Sequence, residues 1–260
     1  MPSRTSKKKS PQPRPARLSA KPIPASERLI LALDVPTAGE ARRLVHTLGD
    51  AVHFYKLGLQ LCMSGEYFTL LRWLRESGKK VFADLKFFDV PQTVGSAVKE
   101  LARWDVQFAT LHATGDEILK AAVAEKKAIQ LLAVTVLTSL DNSDLKNWGF
   151  QGAVQKLVLS RARRAIALGC DGVISSGLEV AALRKHLGSD FLVVTPGIRT
   201  AGAARTDDQK RITTVEEAFA GGADYIVVGR PILKAPDPLA AATAIQTTIA
   251  RLFSARPPLS

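Results

Sequence analysis

The sequence VFADLKFFDV, residues 81–90, joins a short apolar run to three charged side chains. Its first five residues have the length and composition of a buried strand, and Asp84, Lys86 and Asp89 fall where that strand ends. Residues two apart on a strand project to the same face. We therefore expect Asp84 and Lys86 to point together into one site.

Seven further apolar runs of this kind occur along the chain. The eight predicted strands are residues 29–33, 53–58, 81–85, 108–112, 131–137, 172–175, 192–195 and 225–228. Amphipathic stretches between and after them predict helices, among them residues 38–48, 66–77, 93–104, 153–168 and 238–253. This alternation favours a (β/α)₈ barrel of the TIM type, with a doubly wound open sheet as the alternative. No G-x-G-x-x-G follows the first strand, which argues against a dinucleotide-binding sheet.

The positive charge is concentrated at the amino terminus. The formal net charge is +12, and residues 1–26 contain seven Lys or Arg and no acid, which leaves +5 for the remainder. Because this segment is rich in Pro and Ser and poor in apolar residues, we interpret residues 1–26 as a disordered basic tail. A weak contact of the tail with RNA or a membrane surface is the alternative. Residues 27–260 are then a single catalytic barrel domain.

The composition points to a soluble cytoplasmic protein. The opening segment lacks the apolar core of a secretory signal, and no run approaches 18 uninterrupted apolar residues. Cys62 and Cys170 lie far apart, without a C-x-x-C or a histidine spacing that suggests zinc. We expect both to be reduced thiols.

Polar residues follow nearly every predicted strand. In an α/β barrel the carboxyl ends of the strands form one rim, and that rim carries the active site. The residues at these ends are Asp34, Lys56, Asp84, Lys86, His112, Thr138, Thr195, Arg199, Gly229 and Arg230. Ionisable groups that recur at one rim predict a catalytic site. We interpret His112 as structural rather than catalytic.

Two segments after the last strands are typical of a phosphate site. VTPGIR, residues 194–199, and VVGRP, residues 227–231, supply glycines for close backbone approach and two guanidinium groups. The polar stretch between them, residues 199–214, is too long for an ordinary connection. We predict that it closes over a ligand, with Gln209 reaching the phosphate.

These segments resemble the orotidine 5′-phosphate decarboxylases. The resemblance spans about residues 29–232 and rests on LALD (31–34), YKLG (55–58), FADLKFFDVPQT (82–93), VLTS (136–139), TPGIR (195–199) and VGR (228–230). It implies a carboxy-lyase that converts orotidine 5′-monophosphate to uridine 5′-monophosphate and carbon dioxide, the last step of UMP synthesis, without a metal or organic cofactor.

The resemblance also implies roles for single residues. Lys86 would protonate the carbon that loses carbon dioxide, and Asp84 would lie near the departing carboxylate. Asp34 and Lys56 would hold the ribose hydroxyls and complete a charged network. Asp89 and Thr93 would complete the neighbouring site of a homodimer. The remaining substrate-binding residues would be Thr138 at the pyrimidine, Pro196, and the phosphate-binding Arg199, Gln209, Gly229 and Arg230.

The chemistry of the residues agrees with such a reaction. Loss of carbon dioxide from a ring carbon leaves a carbanion with no adjacent electron sink, so fixed charge has to stabilise it. A lysine supplies a positive charge and a proton, and flanking aspartates favour its charged form. The alternative enzyme is a magnesium-dependent phosphosugar decarboxylase or aldolase of the same barrel superfamily, which shares Asp-x-Lys-x-x-Asp. A non-enzymatic alternative is an RNA-binding protein built on a catalytically inactive barrel, although we do not expect nucleic acid or membrane partners.

Overall fold

Eight parallel strands close into a barrel in which each strand pairs with the next and the last pairs with the first. The computed structural model of the chain describes residues 18–199 and 211–254. The strands are β1 Leu29–Ala32, β2 Phe54–Leu57, β3 Lys80–Phe87, β4 Phe108–His112, β5 Gln130–Val134, β6 Gly172–Ile174, β7 Leu192–Thr195 and β8 Tyr225–Val228. The predicted (β/α)₈ barrel is confirmed.

Helices connect the strands and surround the barrel. They are α1 Ala38–Leu48, α2 Leu59–Cys62, α3 Tyr67–Glu76, α4 Pro91–Leu101, α5 Asp116–Glu125, α6 Asn142–Asn147, α7 Val154–Ala167, α8 Gly177–Leu187, α9 Val215–Ala220, α10 Arg230–Leu233 and α11 Pro238–Ser254. Residues that favour a helix amino terminus mark the start of two of them. The Thr37 hydroxyl accepts the Glu40 amide at the start of α1, and Pro91 occupies the first turn of α4. The five predicted helices are present with ends shifted by at most three residues.

Two strands differ from the sequence prediction by more than one residue at their carboxyl ends. β3 continues to Phe87, two residues beyond the predicted end, through an irregularity in its pairing with β4. β5 stops at Val134, although the apolar run continues to Leu137. The carbonyls of Val136 and Leu137 bind the Arg211 side chain instead of a neighbouring strand. Hydrophobicity alone therefore overestimates the length of β5.

An aromatic cluster fills the inner barrel. The rings of Phe54, Phe82, Phe108 and Tyr225 contact one another with centroids 5.0–5.9 Å apart. Phe54, Phe108 and Tyr225 lie at or near the amino ends of their strands, so these rings close that end of the barrel. The carboxyl end is left for polar side chains.

The segment before β1 packs against the amino end of the barrel. Asp224, fully buried, accepts the Ser19 hydroxyl and lies 3.2 Å from the Lys21 ammonium, and its carbonyl accepts the Arg28 guanidinium. Residues 18–26 are thus part of the folded domain, because a buried carboxylate draws in cationic partners. The predicted tail boundary at residue 26 lies too late, and the prediction for residues 1–17 falls outside the described residues.

No helix within residues 18–199 and 211–254 is long and apolar enough to cross a membrane.

Candidate active site

A cavity of about 610 Å³ opens at the carboxyl ends of the strands. This volume suits a ligand of nucleotide size, since small-molecule pockets measure roughly 300–1,000 Å³. Nine of the residues predicted for the site line it: Asp34, Lys56, Asp84, Lys86, Thr138, Pro196, Arg199, Gly229 and Arg230. The barrel therefore brings together side chains that are almost 200 residues apart in the sequence.

Four charged side chains form an alternating chain on one side of this cavity. The Lys56 ammonium lies 3.2 Å from Asp34 Oδ1 and 3.2 Å from Asp84 Oδ2, and Lys86 Nζ lies 2.9 Å from Asp84 Oδ1. The Gly58 backbone lies close beside the first pair, since a Cβ there would lie 3.4 Å from both Asp34 Oδ1 and Lys56 Nζ. Each carboxylate thus faces at least one ammonium.

An irregularity in β3 brings Asp84 and Lys86 together. Ala83 pairs with Ala109 and Phe87 with Leu111, so three residues of β3 lie opposite the single residue Thr110. Such bulges reorient side chains and recur beside active sites. Lys86 adopts a left-handed backbone with φ +49°, which costs a residue with a side chain about 1–2 kcal/mol. The two side chains do converge as the sequence predicts, but through this bulge rather than along a regular strand.

The surroundings of Lys56 and Asp84, the two most buried residues of the charged chain, favour their ionised forms. Burial acts to lower the pKa of Lys56, but the charges of Asp84 and Asp34 and their hydrogen bonds outweigh it and raise that pKa above its usual value. Burial acts to raise the pKa of Asp84, but Lys56, Lys86 and the Thr110 hydroxyl outweigh it and lower that pKa. Both groups therefore remain ionised at neutral pH.

Loops after β7 and β8 form another part of the cavity wall. Gly197 has φ +78°, a conformation that glycine adopts without strain, and it lies between Pro196 and the loop that carries Arg199. The Arg199 amide donates to the Thr213 carbonyl, and the Thr213 amide donates to the Gly197 carbonyl. Arg230 opens α10 directly after Gly229. The predicted Gln209 lies outside the described residues.

Four predicted residues among those that the structure describes do not line the cavity of this single chain: Asp89, Thr93, His112 and the fully buried Thr195. Asp89 and Thr93 are exposed, and the Asp89 carboxylate accepts the Val90 amide at 2.6 Å. His112 is half-buried, and its ring meets that of Phe88 at 5.7 Å. Burial, followed by the charges of Lys86 and Arg161, lowers the pKa of His112, so its imidazole is neutral at pH 7. Its structural role stays a prediction.

Sequence reasoning missed three buried residues around the cavity. Thr110 on β4 donates to Asp84, and Arg211 joins Glu179 to the carbonyls after β5. The inward alternation of β4 with Phe108 could have indicated Thr110. No local pattern indicates the ion pair of Arg211 with Glu179, because its two members are separated by the whole β7 unit.

Comparisons with known proteins agree on one family. The family model described as orotidine 5′-phosphate decarboxylase / HUMPS family matches residues 27–245. An orotidine 5′-phosphate decarboxylase from Methylococcus capsulatus is 58% identical over 241 residues, which cover 93% of this chain and 99% of the relative. One from Stenotrophomonas maltophilia is 48% identical over 242 residues, with 92% and 100% covered. The crystal structure of orotidine 5′-phosphate decarboxylase from Lactobacillus acidophilus matches with a TM-score of 0.75 and 37% identity, covering 86% of this chain and 99% of that one.

Proposed function

The chain belongs to the orotidine 5′-phosphate decarboxylase / HUMPS family, and we propose that it converts orotidine 5′-monophosphate to uridine 5′-monophosphate and carbon dioxide. The observation that carries the proposal is the alternating chain of Asp34, Lys56, Asp84 and Lys86 in a cavity that also holds two arginines. The magnesium-dependent phosphosugar alternative is not favoured, because the curated relatives reported above are named as orotidine 5′-phosphate decarboxylases.

Lys86 is the proton donor in this proposal. The substrate carboxylate leaves from the pyrimidine carbon beside Asp84, and the electron pair of the broken bond stays on that carbon. The Lys86 ammonium, 2.9 Å from Asp84 Oδ1, stabilises the developing negative charge and transfers a proton to the carbon. Lys56, held by two carboxylates, keeps the network charged while Asp34 and Lys56 bind the ribose hydroxyls.

The remaining substrate contacts lie around the same cavity. Thr138, buried after β5, contacts the pyrimidine. Arg199, Gly229 and Arg230, on the loops after β7 and β8, hold the phosphate, with Pro196 beside them and Gln209 from the segment outside the described residues. Phosphate binding far from the reacting carbon helps to hold the small ring in place.

A homodimer completes the site in this proposal. Asp89 and Thr93 are exposed and do not line their own chain's cavity, which supports a role in the neighbour's site. Phe88 and Val90 flank Asp89 and are 63% and 61% exposed. Large apolar side chains exposed together are typical of an interaction surface.

We place the enzyme in the cytoplasm. Cys62 and Cys170 are both free thiols, as is usual in a reducing compartment. Burial raises the pKa of Cys170 to about 12, so its thiol stays protonated and unreactive.

Loss of orotidine 5′-monophosphate absorbance on adding purified protein tests the proposal, with formation of uridine 5′-monophosphate followed by chromatography. We expect turnover that is unchanged after treatment with EDTA. Lys86→Ala purified in the same way controls for contaminating host enzyme and should be nearly inactive, because the proton donor is gone. Absence of turnover, or an absolute requirement for magnesium, would contradict the proposal.

A further inference from the structure

Thr110 occupies a special position beneath the charged network. It is the only residue of β4 between the positions that pair with Ala83 and Phe87, so it faces the whole bulge of β3. Its side chain is fully buried and, two residues after Phe108, projects into the barrel. Thr110 is not among the residues that line the cavity.

The Thr110 hydroxyl joins the two residues at the centre of the site. It lies 2.9 Å from the Lys86 backbone nitrogen and 2.9 Å from Asp84 Oδ1. An amide N–H can only donate and an ionised carboxylate can only accept, so the direction of both bonds is fixed. The hydroxyl therefore accepts from Lys86 and donates to Asp84.

Both bonds act on groups whose position is otherwise hard to maintain. The Lys86 amide belongs to a residue in a left-handed conformation, at a place where regular pairing with β4 is interrupted. Asp84 Oδ1 already faces Lys86 Nζ at 2.9 Å, so the same hydroxyl restrains the backbone of Lys86 and the partner of its side chain. One threonine hydroxyl thus restrains the Lys86 backbone directly and the Lys86 ammonium through Asp84.

We propose that Thr110 is a positioning residue for proton transfer, whose hydroxyl holds the Lys86 backbone and the Asp84 carboxylate in the arrangement that the reaction requires. This inference rests on the proposed function, because it assigns Lys86 as the proton donor. Because Thr110 does not line the cavity, the proposal gives it no contact with the substrate or with the reacting carbon. Its effect reaches the chemistry through the placement of Lys86, and small displacements of a reacting group reduce rates strongly.

Thr110→Val tests the inference, because valine has the shape of threonine without the hydroxyl. We expect kcat to fall about 10- to 100-fold while KM changes little, since substrate contacts are kept and the proton donor is displaced. Thr110→Ser retains the hydroxyl and should recover most of the lost kcat. If Thr110→Val does not fold, Thr110→Cys, a much weaker hydrogen-bonding group, has to show the same selective loss.

Thr135→Val is the matched control. Thr135, directly after β5, is also a buried threonine, and its hydroxyl donates to the Ile174 carbonyl at 2.9 Å rather than to the charged network. We expect this variant to keep near-normal kcat. Melting temperatures of all variants separate loss of folded protein from loss of rate.

Two outcomes would overturn the inference. The first is wild-type kcat in Thr110→Val. The second is an equal loss of kcat in Thr110→Val and Thr135→Val that follows their melting temperatures, which would give Thr110 a structural role alone. Failure of the wild-type protein to decarboxylate orotidine 5′-monophosphate is a separate result, because it would remove the proposed function itself.

Discussion

Arg230 is the residue whose proposed role separates most cleanly from the chemistry. It lies on the cavity wall directly after β8, whereas Lys86 lies near the end of β3. A charge-assisted contact of this kind is worth about 2 kcal/mol, which corresponds to roughly 30-fold in binding. Arg230→Ala is therefore expected to raise KM for orotidine 5′-monophosphate by about that factor.

Orotidine, which lacks the phosphate, provides the internal control for Arg230. Steady-state kinetics of the wild type and of Arg230→Ala with both substrates give the difference directly. The substitution should cost little with orotidine, because there is no phosphate for the guanidinium to hold. An equal loss with both substrates would show that Arg230 does not bind the phosphate.

Single residues were predictable from sequence where they stand next to one another in the chain. The pairing of Asp84 with Lys86 was predicted from strand alternation, although the bulge of β3 rather than regular alternation brings the two side chains together. Thr110 could not be joined to them, since its relation to Asp84 depends on the register of β4 against a bulge. Register at an irregularity is a tertiary property, and no periodicity in the sequence encodes it.

At the scale of elements, one buried ion pair connects loops from three βα units. Arg211 Nη1 lies 2.6 Å from Glu179 Oε1, and its Nη2 donates to the carbonyls of Val136 and Leu137 at 2.9 and 3.0 Å. The two side chains are 8% and 2% exposed. Arg211 thereby joins the loop that contains Thr138 to the first turn of α8. Arg211 also lies two residues before Thr213, which forms a β-bridge with Ile198 beside the phosphate loop.

Removing Arg211 alone should destabilise the protein strongly. Arg211→Met leaves the Glu179 carboxylate buried without its partner, and we expect a loss of about 3–5 kcal/mol in the free energy of unfolding. Burial raises the pKa of Glu179, so the folded state binds its proton more tightly than the unfolded state does. Stability of the variant should therefore increase as pH is lowered, which urea unfolding at several pH values measures.

The double variant Arg211→Met/Glu179→Leu separates stability from function in the same loops. Replacing both charges by apolar groups is expected to restore most of the stability, because no buried charge is left uncompensated. The hydrogen bonds from Arg211 to the carbonyls of Val136 and Leu137 remain absent, so we expect kcat/KM to stay about 10-fold below wild type. A double variant with wild-type kcat/KM would limit the ion pair to a structural role.

Elements were predicted well where the chain carries its own start and stop signals. β4, β7, β8 and α1 have the predicted limits, with apolar runs or a capping threonine to define them. β5 was predicted too long, because its apolar run continues into a loop that Arg211 holds. The contact that ends β5 comes from a residue more than 70 positions away, beyond the reach of local pattern.

At the scale of the whole molecule, composition alone misplaced the start of the domain. Residues 18–26 share the composition of the predicted tail, yet Ser19 and Lys21 contact the buried Asp224. Their place in the fold depends on a carboxylate at the start of β8, more than 200 residues away. The number of βα units, in contrast, follows from repetition along the chain, which is why the barrel could be predicted as a whole.

The proposed dimer makes a prediction that only the assembled molecule can test. Lys86→Ala and Asp89→Ala should each be nearly inactive, because every site then lacks one essential group. If Asp89 serves the neighbour's site, a mixed dimer contains one site with both substitutions and one with neither. Random exchange of subunits should then restore about a quarter of wild-type activity, since half of the dimers are mixed and each has one intact site.

The matched control for subunit mixing is Lys86→Ala combined with Asp84→Ala. Asp84 and Lys86 form an ion pair within one chain, so every site of that mixed dimer carries one of the two substitutions. No activity should return after exchange, although dimers form equally well. Recovery with Asp89→Ala but not with Asp84→Ala would assign Asp89 to the neighbouring site, because the two mixtures differ only in which subunit supplies the missing carboxylate. If neither mixture recovers activity, although differently tagged chains verify that subunits exchange, Asp89 acts in the site of its own subunit.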